Sequence, residues 1–197
     1  MQIAIFSGSF NPIHLGHQKL AEYLLDKNFV DEVWFVVSPL NPLKDQVQQF
    51  DKRVRMDMVL AAVGNNNRMR VSDVEFAMPV PSYTIDTLKK LTELYPQHQF
   101  SLMIGSDNAV IFDQWKDYRQ ILDTYPVWVY PRKGYDFSTV ASQYPQMQLL
   151  DTPLYDISST QIREMLRKGE DVSAWLHPEV MEYIGEKRVY ERRTKNE

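Results

Sequence analysis

Short, unbroken apolar runs alternate along this chain with longer stretches whose apolar residues recur at helical spacing. That alternation predicts strands buried on both faces between layers of helices. Ile3-Ala4-Ile5-Phe6, Val33-Trp34-Phe35-Val36-Val37, Phe100-Ser101-Leu102-Met103-Ile104 and Val127-Trp128-Val129-Tyr130 are the four strongest strand candidates. Val71 to Phe76 alternates more weakly and predicts the third strand in chain order, and Leu149-Leu150 belongs to a short sixth. Amphipathic patterns predict helices near Leu20 to Leu25, from Phe50 to Val63, from about Thr84 through Leu94, around Ile162, Met165 and Leu166, and from Pro178 to Ile184. In the second of these, Val54, Met58, Ala61 and Ala62 mark the buried face, Arg53 and Arg55 belong to the wet face, and Asn65-Asn66-Asn67 ends the helix. No repeat or linker interrupts the alternation. It implies one doubly wound α/β domain over residues 1–190, with a mainly parallel sheet flanked by helices, and a charged tail, 191–197, expected to fray.

Composition narrows the function. A length of 197 residues suits a single domain with a sizeable core. A net charge of −4 argues against nucleic acid as a partner, because backbone binding needs a dominant basic surface. No run approaches the roughly 20 apolar residues that span a bilayer. The chain starts directly on a strand pattern without an export signal, so no membrane partner and a cytoplasmic location are expected. With no cysteine, disulfides and thiol catalysis are excluded, and four histidines with no nearby carboxylate make a poor zinc set.

The chemistry concentrates in Ser7-Gly8-Ser9-Phe10-Asn11-Pro12-Ile13-His14-Leu15-Gly16-His17, at a junction of strand, turn and helix. Such a junction presents backbone N–H groups and a positive dipole end, and Gly8 and Ser9 are small enough to admit a phosphate. His14 and His17 fall on one side of the first helical turn, and Gly16 between them keeps that surface open to a flat ring. The plain alternative is a generic α/β turn with two surface histidines. After the second strand, two prolines break the chain in Ser38-Pro39-Leu40-Asn41-Pro42-Leu43-Lys44, a loop at a strand's carboxyl end where Lys44 could reach a triphosphate or simply be solvated. Ser82 or Thr84 can cap a helix. Asp107, just past a strand end and after Gly105, can cap a helix or accept from ribose hydroxyls. Ser158 and Gln161 have capping-box spacing, with Arg163 one turn on as an oxyanion ligand.

SGSFNPIHLGH resembles the GG(T/S)FDPIHxGH signature of the nucleotidyltransferase superfamily. Ile157-Ser158-Ser159-Thr160-Gln161-Ile162-Arg163 resembles its ISSTxIR element, and matching blocks lie between the two. The chain is most similar to the bacterial nicotinate-nucleotide adenylyltransferases, from residue 3 to about residue 190. The resemblance implies a Rossmann-like sheet of strand order 3-2-1-4-5. It also implies adenylyl transfer from ATP to nicotinate mononucleotide, giving nicotinate adenine dinucleotide and pyrophosphate in NAD biosynthesis. Catalytic roles would fall to His14, His17, Lys44, Arg132 and Arg163. Substrate contacts would fall to Gly8, Ser9, Phe10, Gly16, Asn41, Thr84, Gly105, Asp107, Trp115, Ser158, Ser159 and Thr160. Within these sets, Thr84 in SYTxDTL and Trp115 would meet the pyridine end, Asp107 a ribose, Arg132 adenine or phosphate, and the late element the β- and γ-phosphates. Mg2+ is expected on ATP phosphates and water rather than in a protein cage.

Four substitutions depart from the family pattern: Ser7 for glycine, Asn11 for aspartate, Leu43 for histidine and Lys133 for proline. Alternative functions are transfer to nicotinamide mononucleotide, phosphopantetheine or glycerol phosphate, a nucleotide sensor without catalysis, or an aminoacyl-tRNA synthetase relative, whose HIGH element resembles His14-Leu15-Gly16-His17. The sequence leaves the oligomeric state open.

Overall fold

A computed structural model describes residues 1–39 and 51–190. Asn41, Leu43, Lys44 and the tail 191–197 lie outside the described residues. The elements run β1 (Gln2–Gly8), α1 (Leu15–Asp26), β2 (Glu32–Val37), α2 (Lys52–Val63), β3 (Met69–Ser72), α3 (Thr84–Leu94), β4 (Gln99–Gly105), α4 (Ser106–Ala109), α5 (Tyr118–Thr124), β5 (Val127–Tyr130), β6 (Met147–Leu149), α6 (Ser159–Lys168) and α7 (Pro178–Lys187). The six strands form one parallel sheet in the order β3-β2-β1-β4-β5-β6. No helix among the described residues is long and apolar enough to cross a membrane.

Strand alternation builds two cores from one sheet. Ala4, Phe6, Val33, Phe35 and Val37 face a core shared with α1, α2, α6 and α7. Ile3, Ile5, Trp34, Val36, Leu102 and Ile104 face the other, shared with α3 and α5. Ile3, Ile5 and Phe35 are fully buried, and each such side chain contributes roughly 1.5–3 kcal/mol. Both faces are apolar because both are covered, which is why the strand runs carry no polar alternation.

The predicted third strand is shorter than expected. β3 ends at Ser72, and Val74–Ala77 turns into a single 3-10 turn held by a Phe76 N–H bond to the Asp73 carbonyl at 2.7 Å. The turn buries Glu75, which the weak alternation had placed on a strand. α4 and α5 lack the length to show a helical period and were not anticipated. α2 begins at Lys52, with Asp51 as its N-cap accepting from the Arg53 N–H, and Gly64 at φ +53° stops it before the asparagines; Phe50 lies outside the described residues.

One wet-face expectation fails outright. Arg53 is exposed, but Arg55 is fully buried. Arg55 Nη1 donates to the carbonyls of Ser9 at 2.6 Å and Ser38 at 2.8 Å, and Nη2 to that of Pro39 at 3.1 Å. The helix therefore reaches inward to tie the loop after β1 to the end of β2. Arg55→Leu is expected to lower unfolding free energy by about 3 kcal/mol or more, because three buried carbonyls lose their donor. Urea unfolding measures it, and a loss under about 1 kcal/mol would contradict this role for the guanidinium.

Candidate active site

The chain runs β1, β2, β3 toward one edge and then returns to build β4, β5, β6 on the other side of β1. Strand order therefore reverses between β1 and β4, the place where open parallel sheets bind ligands outside their carboxyl ends. A cavity of about 860 Å³ lies there. Its walls include Gly8, Ser9, Phe10, His14, His17, Thr84, Gly105, Asp107, Trp115, Arg132, Ser158, Ser159, Thr160 and Arg163.

The α1 end is built from paired histidines. His14 is the N-cap of α1 and His17 its third residue. Their rings stack at 3.6 Å between centroids, and the His14 N–H donates to His17 Nδ1 at 3.2 Å. An accepting Nδ1 leaves the proton of a neutral His17 ring on Nε2, so the ring can donate there. Phe6 and Phe10 meet the His17 ring edge to face at 5.6 and 5.2 Å and set its tilt. His14 is 3% exposed, and its Nδ1 has no hydrogen-bond partner among the described residues. Burial first, and then the Arg132 charge, push its pKa from 6.5 down to about 3. The ring is neutral in the ligand-free protein.

The late element is stitched to this loop across the chain. Ser159 Oγ donates to the Pro12 carbonyl at 2.9 Å, and Arg163 Nη1 to the Asn11 carbonyl at 2.7 Å. Arg163 Nη2 bonds Thr160 Oγ1 at 3.1 Å, while its buried Nε has no partner among the described residues. Ser158 caps α6 as its spacing predicts, accepting from the Gln161 N–H and donating to Gln161 Oε1. The Ser158 and Ser159 hydroxyls are thus engaged within the protein, although both residues line the cavity.

Three glycines have reasons other than those anticipated. A Cβ on Gly8 would lie 3.1 Å from the Phe10 ring, so the missing side chain also lets that aromatic pack against the strand end. Gly16 is buried and does not line the cavity; a Cβ there would crowd His14 Nδ1 at 3.0 Å and Ile157 at 3.2 Å. It lets α1 begin beneath the His14 ring rather than opening a surface. On Gly105 a Cβ would overlap Asp107 Oδ1 at 2.2 Å and crowd Arg132 Cγ at 2.9 Å.

Gly105, not Asp107, occupies the N-cap of α4, so the Asp107 carboxylate is left facing Arg132, Nε to Oδ1 3.9 Å. Ser106, fully buried, accepts from the Arg132 N–H at 2.9 Å and donates to the Tyr135 carbonyl at 2.8 Å, fixing the start of the β5 loop. On the α3 side, Tyr83 is the N-cap and no side chain caps the helix, so neither Ser82 nor Thr84 takes the expected capping role. The Ser82 hydroxyl instead donates to Glu75. Trp115 is half-buried against Phe112 at 5.0 Å, with its Nε1 unpartnered among the described residues. Glu75, Tyr83, Asn108, Gln114 and Lys116 also line the cavity. Sequence reasoning passed over them, although Tyr83 and Asn108 sit inside blocks it had singled out.

A parallel sheet reversing beside β1, with a helix start carrying two stacked histidines, defines a nucleotide-binding α/β protein. The cytidylyltransferase-like family model matches residues 5–165. The probable nicotinate-nucleotide adenylyltransferase of Bacteroides fragilis is 48% identical over 181 residues, spanning 91% of this chain and 89% of that one. Its counterpart in Cytophaga hutchinsonii is 42% identical over 190 residues, spanning 96% and 98%. The Plasmodium falciparum nicotinic acid mononucleotide adenylyltransferase complexed with NaAD shares the fold, with a TM-score of 0.80 at 23% identity over 96% and 97% of the two chains. The chain belongs to the cytidylyltransferase-like family and, within it, to the nicotinate-nucleotide adenylyltransferases.

The depressed His14 pKa has a signed consequence. An unfolded chain takes a proton on this ring near pH 6.5, whereas the folded one does so only near pH 3. The ring's contribution to stability is complete above about pH 6.5 and is lost as pH falls through that window. The stability difference between wild type and His14→Gln should therefore shrink on acidification from pH 6.5 to 4, read from urea unfolding at each pH. A difference independent of pH would contradict a buried neutral His14.

Proposed function

We propose that this protein transfers the adenylyl group of ATP to nicotinate mononucleotide, releasing pyrophosphate and forming nicotinate adenine dinucleotide. The observation that carries the reading is the stitch between distant segments. Ser159 on Pro12 and Arg163 on Asn11 bring the late element beside the paired histidines. Thr84 and Trp115 line the same cavity from the other helix layer. One cavity thus offers a cation-rich end for phosphates and an aromatic end beside a helix start for a pyridine carboxylate. The partners in this reading are the two nucleotides, with neither nucleic acid nor membrane.

In the step itself, a phosphate oxygen of the mononucleotide attacks the α-phosphorus of ATP in line. A bond forms between that oxygen and the α-phosphorus, and the bond to the bridging oxygen breaks, pyrophosphate leaving with the electron pair. The attacking phosphate carries about −1.5 to −2 charge near neutral pH and needs no base. Protein groups supply position and charge. His17 donates to a phosphate oxygen through Nε2, and Arg132 and Arg163 offset the charge that moves to the leaving group. His14 is held neutral partly by Arg132. A polyanion beside that guanidinium removes the repulsion and raises the ring's proton affinity as ATP enters. Lys44 joins this set as an expectation.

Magnesium fits as an ion carried by ATP phosphates and water, where it supplies charge neutralisation. Among the described residues no three His, Cys, Asp or Glu side chains converge as a cage, and magnesium commonly keeps several waters.

Pyrophosphate release with ATP and magnesium tests the reading, with nicotinate mononucleotide and nicotinamide mononucleotide run in parallel. Rapid release with the acid and little with the amide is expected; release with neither would overturn it and make phosphopantetheine the next acceptor to try. His17→Ala should lower kcat by about 100-fold or more while KM for ATP moves little, the size typical of losing one transition-state donor. An unchanged kcat would remove His17 from the chemistry.

A further inference from the structure

Glu75 is 3% exposed and lines the cavity, yet among the described residues it forms no ion pair. A buried carboxylate without a cation needs hydroxyl or N–H donors in its place. It has three. Ser82 Oγ donates to Oε2 at 2.6 Å, and Thr87 Oγ1 and Ser7 Oγ donate to Oε1 at 2.9 and 3.3 Å.

These partners come from three elements. Ser7 is the penultimate residue of β1, Ser82 immediately precedes Tyr83, the N-cap of α3, and Thr87 lies in the first turn of α3. Ser38, just beyond β2, lies 3.0 Å from the Ser7 hydroxyl. If the Ser7 hydrogen goes to Glu75, Ser38 must be the donor to Ser7, which gives an ordered chain Ser38 to Ser7 to Glu75. The Ser38 carbonyl in turn accepts from Arg55. The α3 start is thereby tied to the ends of β1 and β2.

We propose that Glu75 is a positioning residue for the acceptor nucleotide. Acting through Ser82 and Thr87, it sets the first turn of α3 against β1 and β2, and so fixes where Thr84 stands relative to the histidine end of the cavity. Both carboxylate oxygens accept from hydroxyls, and through those hydroxyls Glu75 holds the α3 start. This rests on the acceptor reading of the α3 end given above.

The test is steady-state pyrophosphate release, varying nicotinate mononucleotide at saturating ATP and then the reverse. Glu75→Ala removes the shared acceptor of three hydroxyls, two of them on the α3 side, and should raise KM for nicotinate mononucleotide by about tenfold or more. KM for ATP should move less than about twofold, because the α6 and α1 contacts do not pass through Glu75. Glu75→Gln keeps the shape and a carbonyl acceptor and should recover most of the loss. Ser82→Ala removes the shortest contact and should give a smaller rise of the same kind, which keeps the test available should Glu75→Ala fold poorly. Equal rises in both KM values, or an unshifted acceptor KM in a folded variant, would overturn the proposal and leave Glu75 a packing residue. A wild type inactive with nicotinate mononucleotide would overturn the acceptor reading itself, and this proposal with it.

Discussion

Arg55 places a whole guanidinium inside the molecule, and the carbonyls of Ser9, Ser38 and Pro39 receive it. The cavity depends on this contact more than on any single apolar residue. The β1–β2 register ends at Gly8 and Val37, with one further bond from the Ser38 N–H to the Gly8 carbonyl at 2.9 Å. Beyond that point the chain must turn in two directions at once, and backbone carbonyls that leave a sheet need donors. Arg55 supplies them from behind, so the front of the loop is left to face a ligand. Burial lowers the guanidinium pKa, but an arginine still remains charged near neutral pH, and a fixed cation sits beneath a loop whose other face offers N–H groups and histidines.

The two helix layers contribute different chemistry. From α1 and α6 come His14, His17, Ser159, Thr160 and Arg163, all beside the loop that follows β1. From the opposite layer come the uncapped start of α3 and Trp115. A parallel sheet keeps such layers apart everywhere except past its carboxyl ends, and the reversal between β1 and β4 is where both can reach one ligand. Under the proposed function, two nucleotides in a line across that gap would bring the reacting phosphates together without a nucleophile or base on the protein.

Much of this was legible in the chain because strands covered on both faces have continuous apolar runs and because helices longer than two turns show their period. β1, β2, β4 and β5 follow from such runs. α4, with four residues, and α5, with seven, are too short to show a period, and both lie between predicted strands. Arg55 was misplaced because it is charged, and Glu75 because it stood in a weak strand pattern. Charge predicts solvent, and nothing local in a sequence announces that carbonyls 16 and 46 positions away will satisfy a guanidinium or that three hydroxyls will satisfy a carboxylate. The glycines were explained too simply: their missing Cβ atoms make room for Phe10, His14 and Asp107 of the protein itself.

A crystal structure of the protein with nicotinate adenine dinucleotide tests the central claim most directly, that a single cavity at the strand reversal holds phosphates on the α1 and α6 side and the pyridine on the α3 side. The account predicts the dinucleotide spanning the carboxyl ends of β1 and β4, with its diphosphate within hydrogen-bond distance of His14 or His17 and its pyridine ring against Trp115. A diphosphate away from the histidines, or a pyridine ring making no contact with Trp115 and the first turn of α3, would contradict it.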